Sequence, residues 1–364
     1  MVMAGFWPET LHHDATAHAQ GLQERLLNAF SGSMQRRKAS PGRVRANVFS
    51  SWWLLFVGLL SLCTAAQAQD FIGTRALSLG EAYRAVATGN DAIYMNPAGI
   101  ALIPRYSSEL HYNFNLDKED HQVDLSVVDS RTSKVAAGLG YTFQGRELTR
   151  RTTLQHTATL ALGYALLPRL FHLGVGLKYV NISDAIVGNY LNALSGDVGV
   201  LATLPGGLSL AAVGYNLIPI RSTDVPVSAG FAAAWDLGPL SALLFGGGPS
   251  GYLVPDASGT ARPAAIGDMR GPLSNFVLSC DWYINFFTLE QPQSRVSGGL
   301  EYLLFGFAPI RLGYQWDEAE QNHLISAGGG IILPFFGVDV AYQQSTVNRA
   351  ERRFAASLKF FLDL

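Results

Sequence analysis

Long apolar segments are the first feature that this sequence lacks. Its 364 residues are 48% hydrophobic, yet no apolar run reaches the roughly 18 residues that a membrane helix needs. Charge is also scarce, because Lys, Arg, Asp and Glu make up 15% of the chain, against about 25% in a usual soluble protein. High apolarity without long apolar runs is typical of a membrane β-barrel, which places apolar residues at every second position.

Cysteine is almost absent too, and other missing patterns exclude several function classes. Of the two cysteines, Cys63 lies in a segment that is expected to be removed, which leaves Cys280 without an intrachain partner. No Cys/His spacing suits a metal ion, so neither a metal nor another cofactor is expected. A net charge of −2 gives no basic surface for nucleic acid. No nucleophile–base set or paired-carboxylate motif occurs, so the chain is not expected to be an enzyme.

The first 68 residues differ in composition from the rest. Residues 34–68 have the pattern of a secretory signal peptide: basic residues follow Met34, an apolar stretch of about eleven residues begins at Trp52, and Ala66-Gln67-Ala68 forms a small-residue cleavage site. The apolar stretch is too short for a membrane anchor. Residues 1–33 precede this complete signal and are either an extension or the result of a start assigned too early.

Residues 106–364 alternate between apolar and polar residues with a period of two, which predicts β-strands. In the segment LHYNFNL, for example, Leu110, Tyr112 and Phe114 share one face. A soluble β-sandwich would also alternate. Segments of about ten residues, aromatic residues at segment ends and an opposite face of Gly, Ser, Thr and Asn favour a barrel that crosses a bilayer. The last segment, FAASLKFFLDL, resembles the terminal assembly signal of outer-membrane barrels.

The predicted fold is therefore all-β, a transmembrane antiparallel β-barrel of about 14 strands, or 16 if the segment PLSALLFGG adds a strand. Closure is expected because no sheet edge can remain unpaired in lipid. Periplasmic turns are predicted at the short connections near Arg131, Pro168, Gly206, Gly306 and Pro334. Extracellular loops are predicted at the longer connections near 145–151, 183–193, 218–225 and 284–295.

Residues 69–105 precede the first predicted strand and have neither a strand pattern nor a long helical one. Ser78 and Glu81 have the spacing of a capping box, which predicts a short helix to about Ala87 that Gly89 ends. The sequence Asn96-Pro97-Ala98-Gly99 predicts a turn. A segment this apolar is not expected to trail in the periplasm, so we predict that it is a hatch, a plug inside the barrel lumen.

The stretch GTRALSLGEAYRAVATGNDAIYMNPAGIA, residues 73–101, resembles the N-terminal hatch of the FadL-type outer-membrane transporter superfamily. It is nearer still to the PorV-like branch, with a Gly-x-Arg-Ala opening, a Gly-x-Ala-x-x-Ala-x-Ala middle and an Asn-Pro-Ala-Gly close. The later pieces GDVGVLATL, GLEYLL, IRLGY, SAGGGI and VDVAY are similar to that branch in the same order. The sequence departs from the pattern at Gly89-Asn90-Asp91, which replaces an acidic pair, and at 239–273, which is an insertion.

The resemblance implies a barrel with an N-terminal hatch and no enzymatic activity. FadL-type members take up hydrophobic molecules such as long-chain fatty acids and release them sideways through a wall opening. PorV-like members are instead accessory barrels in protein secretion or surface attachment. The expected location is the bacterial outer membrane. The expected partners are outer-membrane lipid, the barrel assembly machinery, and either a hydrophobic small-molecule ligand or a secretion-system protein.

Candidate site residues follow from the hatch and from strand parity. Charges in an apolar plug need partners, and strand parity turns Glu301, Arg311 and Asp339 inward as a lumen charge network that can hold Arg75. Glu301 and Arg311 flank Gly306 symmetrically and are expected to pair across one hairpin. The hatch and passage candidates are Gly73, Arg75, Asp91, Asn96, Pro97 and Gly99. The ligand-path candidates, which are equally suited to be the packing face of the hatch, are Phe71, Ile72, Leu77, Leu79, Ile93, Tyr94 and Met95.

Overall fold

Fourteen strands of the described residues form one antiparallel sheet that closes on itself. The computed structural model describes residues 73–148, 151–184, 188–220, 225–239, 253–255, 261–263, 275–286, 292–348 and 350–362. The first strand, Tyr106–Asn115, pairs with the last, Arg352–Leu362, on one edge and with the second, Asp120–Asp129, on the other, so the sheet has no free side. The predicted barrel is therefore confirmed, with 14 strands rather than 16 in the closed sheet.

The order of the strands round the barrel follows the chain from β1 to β8 and from β11 to β16. The first eight are β1 Tyr106–Asn115, β2 Asp120–Asp129, β3 Val135–Leu148, β4 Arg151–Leu167, β5 Phe171–Asp184, β6 Gly188–Thr203, β7 Leu208–Tyr215 and β8 Ser228–Asp236. The last six are β11 Phe276–Asn285, β12 Gln293–Leu304, β13 Ala308–Asp317, β14 Asn322–Ile332, β15 Phe336–Ser345 and β16 Arg352–Leu362. Two short strands, β9 Leu253–Pro255 and β10 Ala261–Pro263, pair with each other outside this sheet.

Several sequence-based expectations fall outside the described residues or need correction. The signal region 34–68, the ligand-path candidates Phe71 and Ile72, and most of the segment PLSALLFGG lie outside them. The expected loops at 145–151 and 183–193 were wrong in extent, because β3 continues to Leu148 and β5 to Asp184. Charged and polar residues such as Arg146, Glu147 and Asn192 interrupt the apolar alternation there, while the strand pairing continues.

The two ends of the barrel differ in what they carry. We call the end at which β1 begins and β16 finishes the near end, and the opposite one the far end. The predicted short turns at Arg131, Pro168, Gly206, Gly306 and Pro334 all connect strands at the near end. The long connection from β8 to β11 also joins the near end. At the far end β3–β6, with 14 to 17 residues each, are longer than the strands of the opposite wall.

The hatch, residues 73–105, contains helical turns that the sequence placed only in part. They are α1 Thr74–Ser78, a 3₁₀ turn Gly89–Asp91, α2 Ala92–Met95 and a 3₁₀ turn Pro97–Leu102. The helix predicted from Ser78 to Ala87 was wrong: α1 ends at Ser78, because Gly80 and Glu81 adopt φ of 64° and 70°, and left-handed residues stop a right-handed helix. No helix among the described residues is long and apolar enough to cross a membrane.

The predicted turn at Asn96 is confirmed. The carbonyl of Asn96 accepts from the backbone N–H of Gly99 at 2.9 Å, and its Oδ1 accepts from the N–H of Ala98 at 3.1 Å. Asn96 is therefore the N-cap of the turn Pro97–Leu102, in which Pro97 takes the first position, where no N–H is needed.

Side-chain parity separates an apolar outer face from a lumen face. Outward positions carry large apolar residues, and Leu125, Leu139 and Leu312 are more than half exposed. Most inward positions are polar and buried, while those of β6–β8 include small apolar residues that pack against the hatch. α1 contacts β13–β16, whereas the turn Pro97–Leu102 contacts β3–β6, so the hatch spans the lumen between two walls.

The apolar outward face predicts how much a charged substitution there lowers the folding free energy of the barrel. Leu312 lies at the middle of β13 and is 56% exposed, while Val347 is 65% exposed in the far-end connection between β15 and β16. We expect Leu312→Arg to cost about 2–4 kcal/mol of folding free energy in a bilayer, and Val347→Arg about 0–1, because the penalty depends on membrane depth. Urea unfolding in lipid vesicles measures both. Equal costs at the two positions would contradict a membrane-embedded face.

Candidate functional site

The hatch rests on wall glycines that leave room for its backbone. Gly163, Gly174 and Gly199 of β4, β5 and β6 are direct cross-strand neighbours, and we call them the β4–β6 seat. A Cβ on Gly174 would overlap the backbone of Pro97 and Ala98, and one on Gly163 would lie 2.9 Å from the Pro97 carbonyl oxygen. The hatch turn at Asn96 therefore packs backbone against backbone on this wall.

A second group of glycines does the same on the other side of the lumen. Gly299 and Gly313 are cross-strand neighbours on β12 and β13, and we call them the β12–β13 seat. A Cβ on Gly299 would lie 2.9 Å, and one on Gly313 2.8 Å, from the carbonyl oxygen of Leu79. In the hatch itself, Gly80 lies against the backbone of Tyr314. The hatch is thus wedged between two seats.

A buried charge network joins α1 to the β12–β13 side. Arg75 binds Glu301 with two hydrogen bonds, Nε to Oε2 at 3.0 Å and Nη2 to Oε1 at 2.6 Å. Glu301 also accepts from Arg311, its direct cross-strand partner, as the symmetry about Gly306 predicts. Arg311 continues to Asp339, with Nη1 2.6 Å from Oδ1. We call this chain from Arg75 to Asp339 the latch.

Sequence reasoning missed two members of this network. Lys359 of β16 lies 3.2 Å from Asp339 and 3.5 Å from Glu109 of β1. Its Nζ is also 4.0 Å from Asp91, one of the hatch candidates. The strand alternation that places Glu301 in the lumen also places Glu109 and Lys359 there. The sequence pattern could therefore have identified both residues as members of the network. The latch therefore reaches the seam at which the barrel closes.

The other hatch candidates lie close to this network or to the glycine seats. Gly73 is the N-cap of α1, and a Cβ there would overlap the Asp91 carboxylate. A Cβ on Gly99 would overlap the carbonyl of Ala87. Asn96 is fully buried, and its Nδ2 donates to the carbonyls of Arg84 and Val200. These residues shape the hatch and fix its position.

Arg84 anchors the hatch to a third part of the wall, and sequence reasoning did not single it out. Its backbone N–H and Nη1 both donate to Asp281 Oδ2, at 3.1 and 3.0 Å. Its Nε donates to Tyr215 Oη at 2.8 Å, and its guanidinium carbon lies 4.9 Å from the ring centre of Tyr283. We call Arg84, Tyr215, Asp281 and Tyr283 the Arg84 cage. Tyr215 also donates to the carbonyl of Met95.

Burial and neighbouring groups together set the pKa values of two hatch side chains, Arg84 and Tyr83. Burial would lower the pKa of Arg84, but Tyr215, Asp281 and Tyr283 outweigh it and raise that pKa above its usual value. Burial also raises the pKa of the Tyr83 phenol, although nearby Arg75 opposes the shift. Arg84 therefore stays charged, and Tyr83 stays neutral.

A cavity of about 250 Å³ lies between the hatch and the wall toward the near end. One side is apolar and includes Val86, Ile103 and Val277. The rest of the lining carries charges of both signs, among them Arg75 and Lys359 and the carboxylates of Glu109 and Asp339. The cavity is therefore amphipathic, large enough for a small organic molecule, and adjacent to the latch.

The ligand-path candidates lie elsewhere. Leu77, Leu79, Ile93 and Met95 are buried in one apolar cluster that packs the hatch against the wall, with Tyr94 at its edge. None of these described candidates lines the cavity. Their apolar character serves hatch packing. Among the described residues, no group of three or more His, Cys, Asp or Glu side chains is placed to hold a metal ion.

The seats predict a site-specific steric effect. We expect Gly174→Ala to loosen the hatch at a cost of about 1–3 kcal/mol, the usual range for overpacking, because the new methyl group meets backbone rather than a movable side chain. Gly298→Ala is the matched control, since a Cβ there has open space within 4 Å. Thermal unfolding and protease sensitivity of the hatch report the difference. Indistinguishable behaviour of the two variants would refute the seat.

If the latch holds the hatch in place, its removal should let small solutes leak through the barrel. Glu301→Ala leaves the buried Arg311 and the partly buried Arg75 without their shared carboxylate, and breaking a buried pair costs about 3–5 kcal/mol. We expect increased passage of small solutes through the barrel in lipid vesicles. Glu318→Ala, which removes an exposed far-end carboxylate bonded to Ser294, serves as the control. A leak unchanged from that of the parent protein would show that the latch does not hold the hatch.

Comparison with known proteins supports the fold. Neither a protein-family model nor a curated protein matches the sequence. The structure is similar to the CymD monoaromatic hydrocarbon channel, with a TM-score of 0.56 and 12% identity over 80% of this chain and 97% of that chain. It is also similar to a Pseudomonas aeruginosa FadL homologue, with a TM-score of 0.57 and 10% identity over 81% and 99%.

The toluene transporter TodX of P. putida has a TM-score of 0.55 and 10% identity, over 82% of this chain and 99% of that chain. At such identities the likeness shows the fold alone. The nearer resemblance to the PorV-like branch rests on sequence motifs. The chain therefore has the barrel fold of the FadL-type outer-membrane channels, as its hatch motif predicts.

Proposed function

We propose that this protein is a bacterial outer-membrane channel for hydrophobic small molecules, with long-chain fatty acids as one candidate cargo. The observation that carries the proposal is the combination of a closed, apolar-faced barrel with a lumen hatch that borders an amphipathic cavity. The outer face fits a bilayer. The hatch prevents an open water pore, and the cavity provides a place for a small organic molecule.

The fold likeness supports a hydrophobic cargo. CymD is a monoaromatic hydrocarbon channel and TodX a toluene transporter by their own descriptions. A chain with the same barrel fold is suited to the same general class of cargo. The likeness supports a hydrophobic cargo in general. The experiments below distinguish hydrocarbons from fatty acids.

The cavity supports the same class of cargo. An apolar void of about 150 Å³ already holds benzene, and the present cavity measures about 250 Å³. Its apolar side suits a hydrocarbon body. The charged groups on the rest of the lining suit a polar group at one end of the cargo. Binding requires no covalent chemistry, so the proposal needs neither a nucleophile nor a cofactor.

The first test is what the protein carries from its own membrane. Tagged protein purified from native outer membranes in mild detergent is analysed by mass spectrometry for bound hydrophobes and co-purifying proteins. We expect a near-stoichiometric hydrophobic compound. A specific secretion component or surface protein, without any enriched hydrophobe, would overturn the proposal in favour of an accessory barrel.

Uptake by cells adds a variant-based test. Gram-negative cells that lack their own transporters of this class express the protein and receive radiolabelled oleate or toluene. We expect Ala234→Trp, which fills the cavity from its lining, to reduce uptake. Ala233→Trp, one residue away on the outward face of β8, is the matched control. Equal uptake by the two variants would show that the cavity is not on the route.

A further inference from the structure

Three hairpins of the barrel repeat one side-chain pattern on the outer face. The segments LHYNF of β1, LGYTF of β3 and LGYQW of β13 each place an exposed leucine, a tyrosine and a second aromatic residue at alternate positions. In each case the next strand supplies a histidine as the cross-strand partner of that second aromatic residue. The repeat runs from the apolar middle of the outer face toward the far end.

The tyrosine and the histidine of each repeat are hydrogen-bonded to each other, with Tyr Oη and His Nδ1 2.7 to 2.8 Å apart. Of the five histidines in the described part of the chain, these three lie on the outer face, since His111 and His172 are buried in the lumen. We call the three pairs the Tyr–His belt. Its members are Tyr112–His121, Tyr141–His156 and Tyr314–His323.

Two further tyrosines continue the Tyr–His belt round the barrel. Tyr179 Oη donates to Asn192 at 2.9 Å, and Tyr342 Oη donates to Gln344 at 2.8 Å. Hydrogen-bonded tyrosines thus occur on β13, β15, β1, β3 and β5, which follow one another at every second strand. Their partners are imidazoles and amides, and none is a carboxylate. Arg352, the exposed cross-strand neighbour of Gln344, adds a cation to the same face.

Every pair of the Tyr–His belt keeps one polar hydrogen for an acceptor outside the protein. If the phenol donates to Nδ1, the neutral imidazole carries its hydrogen on Nε2, and if Nδ1 donates instead, the phenol hydrogen is left over. The second aromatic residue supports the imidazole, with the ring centre of Phe114 4.6 Å from that of His121 and the ring centre of Phe143 5.2 Å from that of His156. Each pair is therefore a fixed hydrogen-bond donor beside an apolar surface.

We propose that the Tyr–His belt binds the phosphate groups of lipid head groups in the leaflet around the far end. The inference rests on the proposed function as an outer-membrane channel and adds a lipid-binding surface to it. A phosphate oxygen is an ionised acceptor, which strengthens the hydrogen bond from an N–H or O–H donor. Tyrosine rings of membrane proteins lie at the head-group level. A lipid fits better than a free anion because its chains also cover the exposed leucine beside each pair.

Acidic residues of two far-end turns suit the same partner. Asp117 and Glu119 lie in the turn after β1, Glu318 and Glu320 lie in the turn after β13, and all four are exposed. A lipid phosphate is accompanied by an ammonium group or a bound cation, which these carboxylates attract. From the middle of the barrel outward, leucine, donor pair and carboxylate therefore match the chain, the phosphate and the cation of a lipid.

The test counts the phospholipids that stay on the purified protein. The parent protein in micelles of dodecyl maltoside, a phosphate-free detergent, is mixed with phosphatidylethanolamine, and native mass spectrometry counts the bound lipids. The belt variant replaces every tyrosine and histidine of the Tyr–His belt by Phe, which keeps the aromatic rings but removes the donors. We expect it to bind one phospholipid fewer for each pair that is removed. Equal binding by the parent and the belt variant would overturn the proposal.

A matched control changes outward tyrosines at the near end. Tyr106→Phe, Tyr164→Phe and Tyr302→Phe together remove phenol groups from the same face, and we expect the parent lipid count. A loss as large as that of the belt variant would place phosphate binding elsewhere and overturn the proposal.

Two further probes identify what is bound. Digalactosyldiacylglycerol has no phosphate, so we expect the parent and the belt variant to bind it equally. A belt variant that loses this glycolipid as well has lost apolar packing, which contradicts the proposal. Inorganic phosphate is the other probe. If it raises the Tm of the parent as much as the phospholipid does, a free anion rather than a lipid occupies the belt, and the proposal fails.

Single-hairpin variants cover the case in which the belt variant fails to fold. Tyr314→Phe with His323→Phe removes one pair, and we expect the loss of one bound phospholipid. Parent-like binding by this variant and by its equivalents in the other two hairpins overturns the proposal. A parent protein that inserts into lipid vesicles but binds phospholipid no better than glycolipid refutes the lipid-binding belt and leaves the proposed function standing. A parent protein that does not insert into vesicles refutes the proposed function itself.

Discussion

An unpaired strand edge leaves backbone amides without partners, and the rest of this structure depends on the removal of that edge. Each strand needs a neighbour on both edges, so β16 pairs with β1 along the whole length of β1. Closure with this many strands leaves a lumen that wall side chains cannot fill. The hatch, residues 73–105, occupies it. One requirement of the backbone thus leads to a barrel, then to an interior, and then to a plug.

The lumen meets the hatch in three chemically different ways. Glycines at the two seats allow backbone to approach backbone. The latch joins α1 to β12, β13 and β15 by buried charges, which fix orientation because a lone buried charge is costly. The small residues of β6–β8 pack against Ala85 and Ala98 of the hatch, beside the Arg84 cage. Together these contacts hold the hatch against several parts of the wall.

The fold was predictable because lipid and lumen demand opposite side chains at alternate positions. That rule located the strands and turned Glu301, Arg311 and Asp339 inward. It failed where tertiary contact overrides local preference: the left-handed Gly80 and Glu81 follow from the approach to β13, and no capping-box spacing reveals it. The partnership of Arg84 with Asp281 spans 197 positions in the chain, so parity places Asp281 in the lumen without naming its partner. The apolar character of Leu77, Leu79 and Ile93 did not reveal whether they line a cavity or pack the hatch against the wall, and the structure shows that they pack it.

The glycine seats have a consequence for biogenesis. A hatch whose backbone touches opposite walls has no clearance for sliding, so a finished barrel would obstruct its entry. The hatch must therefore lie on the inner surface of the growing sheet before the last strand meets the first. The N-terminal position of the hatch suits this order, since it emerges before every strand that surrounds it. Barrel closure and hatch docking are then one event, in which the sheet folds round its own plug.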